Sequence, residues 1–159
     1  MTLFPSRKSL YLIILLFSLI SILSALYIEF ILGYRPCKLC IYQRLPYLIA
    51  VFISFIGLYY VKNDNILIIL IIIFTISALI SGYHFGIENS FFEEFSGCTN
   101  NQLNLSDKAK LLESLSKNMP EDCKDATFKI LGVSLAAINT LLSILITIIS
   151  IRTLSYEKN

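Results

Sequence analysis

The sequence predicts an all-α integral membrane protein, a four-transmembrane-helix bundle with one long connection between its third and fourth helices. Three observations carry that fold class. Apolar residues make up 56% of the 159 and charged residues 15%, with a mean hydropathy of +0.74. The apolar residues gather into four runs of a length that can cross a bilayer, and the four cysteines all fall in the polar connections outside those runs. Four crossings of about 20 residues each use roughly half the chain, which leaves one membrane domain over 1–159 and no room for a second folded unit. The net charge of +2 comes from basic residues dispersed among acids, so the chain lacks the basic patch that nucleic-acid binding requires.

The first run, 10–32, follows Arg7 and Lys8. It is longer than the roughly 7 to 15 apolar residues of a signal-peptide core and ends without an Ala-x-Ala-like cleavage site, so it reads as a retained span. Glu29 near its end is placed to reach the interface. The second run, 45–61, is at the short limit for crossing, and a helix starting near Cys40 would lengthen it. A polar turn at 62–65 leads into the third run, 66–85. Its isoleucine content would favour a strand in water, but a lone strand in lipid leaves its backbone groups unpaired, so helix is expected. The fourth run, 130–151, carries Gly132, Ser134, Ala136, Ala137 and Ser143, small residues of the kind found where helices approach closely.

Between the runs lie two polar connections that hold the thiols, 33–44 with Cys37 and Cys40, and 86–129 with Cys98 and Cys123. Two spans separate them, so both face the same side of the membrane, while the termini and the Lys62 turn face the other. Within the long connection, Ser106 can cap a helix from Asp107 to about Lys117 that lies on the membrane surface or in solvent, and Pro120 would end it. Arg7, Lys8, Lys62, Arg152 and Lys158 fall on the side assigned to the cytoplasm, yet most of the 13 basic residues fall on the other. The orientation therefore rests on redox compartment: thiols that become disulfides belong on the oxidising side.

The chemistry centres on Pro36-Cys37-Lys38-Leu39-Cys40-Ile41-Tyr42-Gln43-Arg44. On a helix starting near Cys40, Cys40 and Arg44 share a face one turn apart. A helix N-terminus and a nearby cation both favour thiolate over thiol, which makes Cys40 the expected reactive sulfur. A C-x-x-C pair also serves zinc ligation and structural disulfides. Cys98 and Cys123 stand too far apart in sequence to form a second zinc knuckle, so redox chemistry is expected and no metal. His84, the chain's one histidine, lies near the outer end of the third span, where an ionisable group is a candidate for proton transfer. Glu88 reads as a cap or surface acid, and Tyr42 and Gln43 as neighbours of the same site.

Together, the four spans, the Pro36–Arg44 stretch, Gly82-Tyr83-His84-Phe85-Gly86-Ile87-Glu88 after the third span and the cysteine pair flanking the long connection resemble the disulfide bond formation protein B (DsbB) family. The run from Cys123 into Gly132, Ser134, Ala136 and Asn139 is similar to that family's entry to its last span. The chain lacks tryptophan, with Phe91 or Phe92 and Ile138 where the family often has an indole, and Ala137 where glycine is common.

The resemblance implies an enzyme of the bacterial inner membrane, a quinone-dependent protein-dithiol oxidase with its cysteines on the periplasmic side. A reduced thioredoxin-like partner (DsbA-like) would attack the Cys98/Cys123 disulfide at Cys98, Cys123 would then attack Cys37, and Cys40 would pass the electrons to ubiquinone or menaquinone held near Arg44 and His84. The residues agree with that scheme. Exchange is fast when the leaving thiol has a low pKa, and a guanidinium stabilises negative charge that develops on quinone oxygens. No glycine-rich nucleotide loop is present, as expected for an acceptor delivered from the bilayer. The competing readings are a vitamin K epoxide reductase-like enzyme and a non-catalytic membrane protein whose disulfides only brace its loops.

Overall fold

A computed structural model describes residues 5–93, Cys123, 129–130 and 132–158. Four long helices carry the architecture: α1 (Arg7–Phe30), α2 (Lys38–Tyr59), α3 (Asp64–Glu88) and α4 (Leu135–Lys158). All four are long and apolar enough to cross a membrane. A two-residue antiparallel ladder, β1 (Lys129–Ile130) with β2 (Val133–Ser134), leads into α4. Cys98, the helix expected over 107–117 and Pro120 lie outside the described residues.

Local chemistry sets each helix start. Ser6 caps α1 by accepting from the Ser9 amide at 3.3 Å, and Asn63 caps α3 by accepting from the Asn65 amide at 3.0 Å. Asp64 in the first turn of α3 suits the positive end of the helix dipole. It also takes Arg7 at 2.5 Å, which ties the starts of α1 and α3 together at the membrane end away from the cysteines. Arg7 is therefore a buried partner of an acid as well as a flanking basic residue. The helix α2 begins one turn before its apolar run, with Cys37 as N-cap. Gly132, at φ +84°, makes the turn between β1 and β2 in the left-handed region that favours glycine.

Packing runs around the bundle, α1 on α2, α2 on α3 and α3 on α4, while α1 and α4 barely touch. Near the Lys62 turn the interior is apolar, built from Leu10, Tyr11, Ile14, Ala50, Leu67, Leu70 and Phe74. Outward-facing leucine, isoleucine and phenylalanine side chains such as Leu23, Phe52, Leu79 and Leu141 stay exposed, which in lipid is the favourable environment. Helices gain little hydrophobic drive from associating in lipid, so close approach and polar contacts between helices decide the packing. Ser77 and Ser143 bring α3 and α4 together with their hydroxyls 3.2 Å apart. Gly57 does the same for α2 and α1, because a Cβ there would stand 2.9 Å from two ring carbons of the fully buried Tyr11.

That last contact predicts the effect of Gly57→Ala. The ring cannot withdraw without moving α1, so the variant should lose about 1–3 kcal/mol of stability, read as a lower denaturation midpoint in detergent. Unchanged stability would show that α1 shifts without cost.

Candidate functional site

The site forms where α2 begins, and the cap creates it. Cys37 has extended backbone angles and its sulfur accepts the Cys40 amide at 3.1 Å, so the first turn of α2 closes around the thiol pair. Cys37 and Cys40 are both free thiols, whereas Cys123 is disulfide-bonded. Cys123 is buried against Cys37, Leu39 and Ile87, with Cys40 at the edge of the same cluster. The two cysteine-bearing connections thus meet at one end of the bundle.

The third span supplies the acid–base groups. His84 Nε2 lies 3.6 Å from Cys37 Sγ and 3.6 Å from Glu88 Oε1, one turn further along α3. Cys37 Sγ, Cys40 Sγ and a His84 ring nitrogen all lie within 4.8 Å of one another. Glu88, which reads from sequence as a cap or surface acid, is 8% exposed at its side chain, and its Oε2 has no hydrogen-bond partner among the described residues. Glu88 is buried because α3 continues through it, which puts it on the same face as His84.

A polar chain holds the imidazole from behind. Gln43 Nε2 donates to His84 Nδ1 at 2.9 Å, and Asn139 Nδ2 donates to Gln43 Oε1 at 3.2 Å. Asn139 Oδ1 in turn accepts from the Tyr47 hydroxyl and, at 3.3 Å, from Ser143. In the neutral ring this arrangement leaves the proton on Nε2, facing Cys37. Tyr47 and Ser143 are the members that sequence reasoning missed. The available signal was a row of hydrogen-bonding side chains inside otherwise apolar runs, which marks a bundle interior.

The electrostatics favour Cys37 as the thiolate of the reduced pair. Its pKa is lowered to about 5, first by the hydrogen bond from the Cys40 thiol, against the opposing effect of burial, and then by the His84 hydrogen bond and charge and by the Cys40 amide. The sequence reading places the thiolate on Cys40, at a helix start beside Arg44. With the helix starting earlier, the free amide of the first turn reaches Cys37 instead. Arg44 pairs with Glu29 at the end of α1, so its charge is shared with a carboxylate.

A cavity of about 310 Å³ adjoins these groups and is lined by both α1 and α4, the two helices that barely touch. Its apolar wall includes Phe17, Ile20, Ile28, Leu135, Ile138 and Leu142, and its polar end carries Cys37, Cys40, Gln43, Arg44, His84 and Glu88. Tyr42 is not among the lining residues and is 60% exposed on the outer face of α2. The volume is in the range of small-molecule sites, and the mix of a long apolar wall with a few convergent polar groups suits a ligand with an apolar body and a polar head.

The shift on Cys37 predicts a titration. In the reduced protein, the thiolate absorption lost on Cys37→Ser should be present at neutral pH and disappear as pH falls through about 5. Replacing His84 with Ala removes one lowering influence and should move that midpoint upward. A midpoint near the ordinary thiol value of 9.0 in the unaltered protein would contradict this geometry.

Comparison with known proteins gives two matches. The family model described as Disulfide bond formation protein DsbB matches residues 7–153. An uncharacterized protein of Rickettsia prowazekii (strain Madrid E) is 30% identical over 156 residues, covering 96% of this chain and 90% of the relative.

Proposed function

We propose that this chain, which belongs to the disulfide bond formation protein DsbB family, is a quinone-dependent thiol oxidase of the bacterial inner membrane that reoxidises a periplasmic DsbA-like dithiol protein. A multi-pass membrane protein with an oxidoreductase role in disulfide formation is what the family and the four spans establish. The finer reading draws most support from one observation: a free Cys37/Cys40 pair and the disulfide-bonded Cys123 border one cavity with Arg44 and His84.

In the proposed relay, the reduced partner attacks the disulfide that joins Cys98 to Cys123, at Cys98, and Cys123 leaves as thiolate. The partner's second thiolate then releases Cys98, so the partner gains a disulfide and the pair here gains two electrons and two protons. Cys123 passes the electrons on by attacking Cys37 of an oxidised Cys37–Cys40 bond, and Cys40 leaves. Cys98 then closes on Cys123, and the electrons rest on Cys37 and Cys40. Burial of Cys123 against Cys37 supports that transfer, since exchange needs the sulfurs in contact.

The cavity fits a quinone by its apolar wall and its donors. A quinone bound there would supply a two-electron, two-proton acceptor for the reduced pair. Arg44 would orient a carbonyl oxygen at the polar end, and His84 Nε2 would hold a proton beside Cys37 Sγ for delivery. Glu88 Oε1 stands beside the same ring nitrogen, while the α1 and α4 side chains would exclude water. Orientation with the thiols outward follows from the compartment in which disulfides persist.

Purified protein in detergent, given a reduced thioredoxin-like partner and either a ubiquinone or a menaquinone analogue, should reduce the quinone. Cys40→Ser should abolish turnover, and Arg44→Leu should raise the KM for quinone by about tenfold, the equivalent of losing about 1.4 kcal/mol of binding. Turnover that survives Cys40→Ser would end the relay. A wild-type protein inert toward every quinone would end the quinone assignment.

A further inference from the structure

The polar end of the cavity holds a second chemistry. Two thiols and an imidazole nitrogen lie within 4.8 Å of one another there, and a buried carboxylate stands beside the imidazole, its Oε2 without a hydrogen-bond partner among the described residues. We propose that the reduced Cys37–Cys40 pair, with His84 Nε2 and a carboxylate oxygen of Glu88, forms a four-coordinate site for a single zinc ion.

Distances carry this assignment. In a tetrahedral zinc site, bonds of about 2.3 Å to sulfur and about 2.0–2.1 Å to imidazole place those two ligand atoms about 3.5 Å apart, and nitrogen and oxygen about 3.4 Å apart. Cys37 Sγ to His84 Nε2 is 3.6 Å, and His84 Nε2 to Glu88 Oε1 is 3.6 Å. The first is an ordinary hydrogen-bond distance to sulfur and the second is too long for a hydrogen bond, and both are close to an edge of that tetrahedron. The donor set of two sulfurs, one nitrogen and one oxygen selects a borderline-soft ion over magnesium or calcium. Glu88 Oε2, the neighbour of the oxygen at that edge, has no hydrogen bond among the described residues, a costly state for a buried carboxylate that a bound cation would offset.

The surroundings also suit a metal-bound imidazole. With Nε2 on the ion, the ring proton moves to Nδ1 and needs an acceptor. Gln43 meets that need by turning its amide so that oxygen faces Nδ1, and Asn139 can turn with it. Tyr47 and Ser143, which now donate to Asn139, are hydroxyls that accept as readily. The whole chain can thus reverse polarity without leaving a member unpaired.

Binding displaces whatever protons remain on the two thiols, and no electron moves. Both thiolates are then committed to the ion, so the pair can neither attack a disulfide nor become one. That consequence for turnover rests on the relay proposed above, whereas zinc binding does not, and the two fail separately.

Cobalt(II) serves as the optical probe, using the full-length chain with Cys98→Ser and Cys123→Ser, reduced and held without oxygen in detergent. One equivalent should produce sulfur-to-cobalt charge-transfer absorption and the strong ligand-field bands of four-coordinate cobalt, and zinc should remove both. His84→Ala and Glu88→Gln should each weaken cobalt binding at least about tenfold. Absence of these bands, or unchanged affinity in either variant, overturns the site. In wild-type protein, where no variant can perturb folding, zinc should slow alkylation of Cys37 and Cys40 by about tenfold or more and stop quinone reduction. Alkylation at an unchanged rate likewise overturns it. Cobalt bands in a protein that never turns over would sustain the metal site and sink the relay.

Discussion

The amide of Cys40 must find an acceptor, because the first turn of a helix has no carbonyl before it to use, and the acceptor it finds is the sulfur of Cys37. That bond fixes the geometry of the thiol pair, since it sets both where α2 begins and which sulfur faces His84. It also biases charge. A sulfur that accepts an amide hydrogen bond, a thiol hydrogen bond and an imidazole contact is stabilised as thiolate even though burial opposes it. A helix beginning at the second cysteine would have put this bias on the other sulfur.

Burying so many polar groups in a bundle surrounded by apolar side chains is costly unless each has a partner. The chain from His84 through Gln43 and Asn139 to Tyr47 and Ser143 meets that requirement with side chains from α2, α3 and α4. It binds three helices where lipid offers little hydrophobic drive to associate. The bundle therefore has two unlike halves. Toward the Lys62 turn, Leu67, Leu70 and Phe74 pack as an apolar core, and toward the cysteines a hydrogen-bonded interior holds one imidazole in a set orientation.

The weak contact between α1 and α4 gives the site its access. Each of the other neighbouring helix pairs packs closely, helped by Gly57 against Tyr11 and by Ser77 against Ser143, so the open seam falls on the side where the thiols face. The ion pair of Arg44 with Glu29 ties the start of α2 to the end of α1 beside the cavity.

The sequence by itself determined the class, the four helices and the location of the thiols. Long apolar runs in a bilayer admit only helices, and all four cysteines fall in the polar connections between those runs. It also indicated that the two polar connections lie on one side, because two crossings separate them, and Cys37 and Cys123 do meet. Tertiary structure decided which groups touch. Residues of α3 and α4 reach Cys37 only through the register of one helix against another, and hydropathy carries no information about register. So Glu88 reads as a surface acid until α3 is seen to bury it beside His84, and Arg44 reads as the partner of Cys40 until α1 supplies Glu29. The preference for thiolate at Cys37 had the same origin, a single hydrogen bond at a helix end whose position depends on where the chain leaves α1.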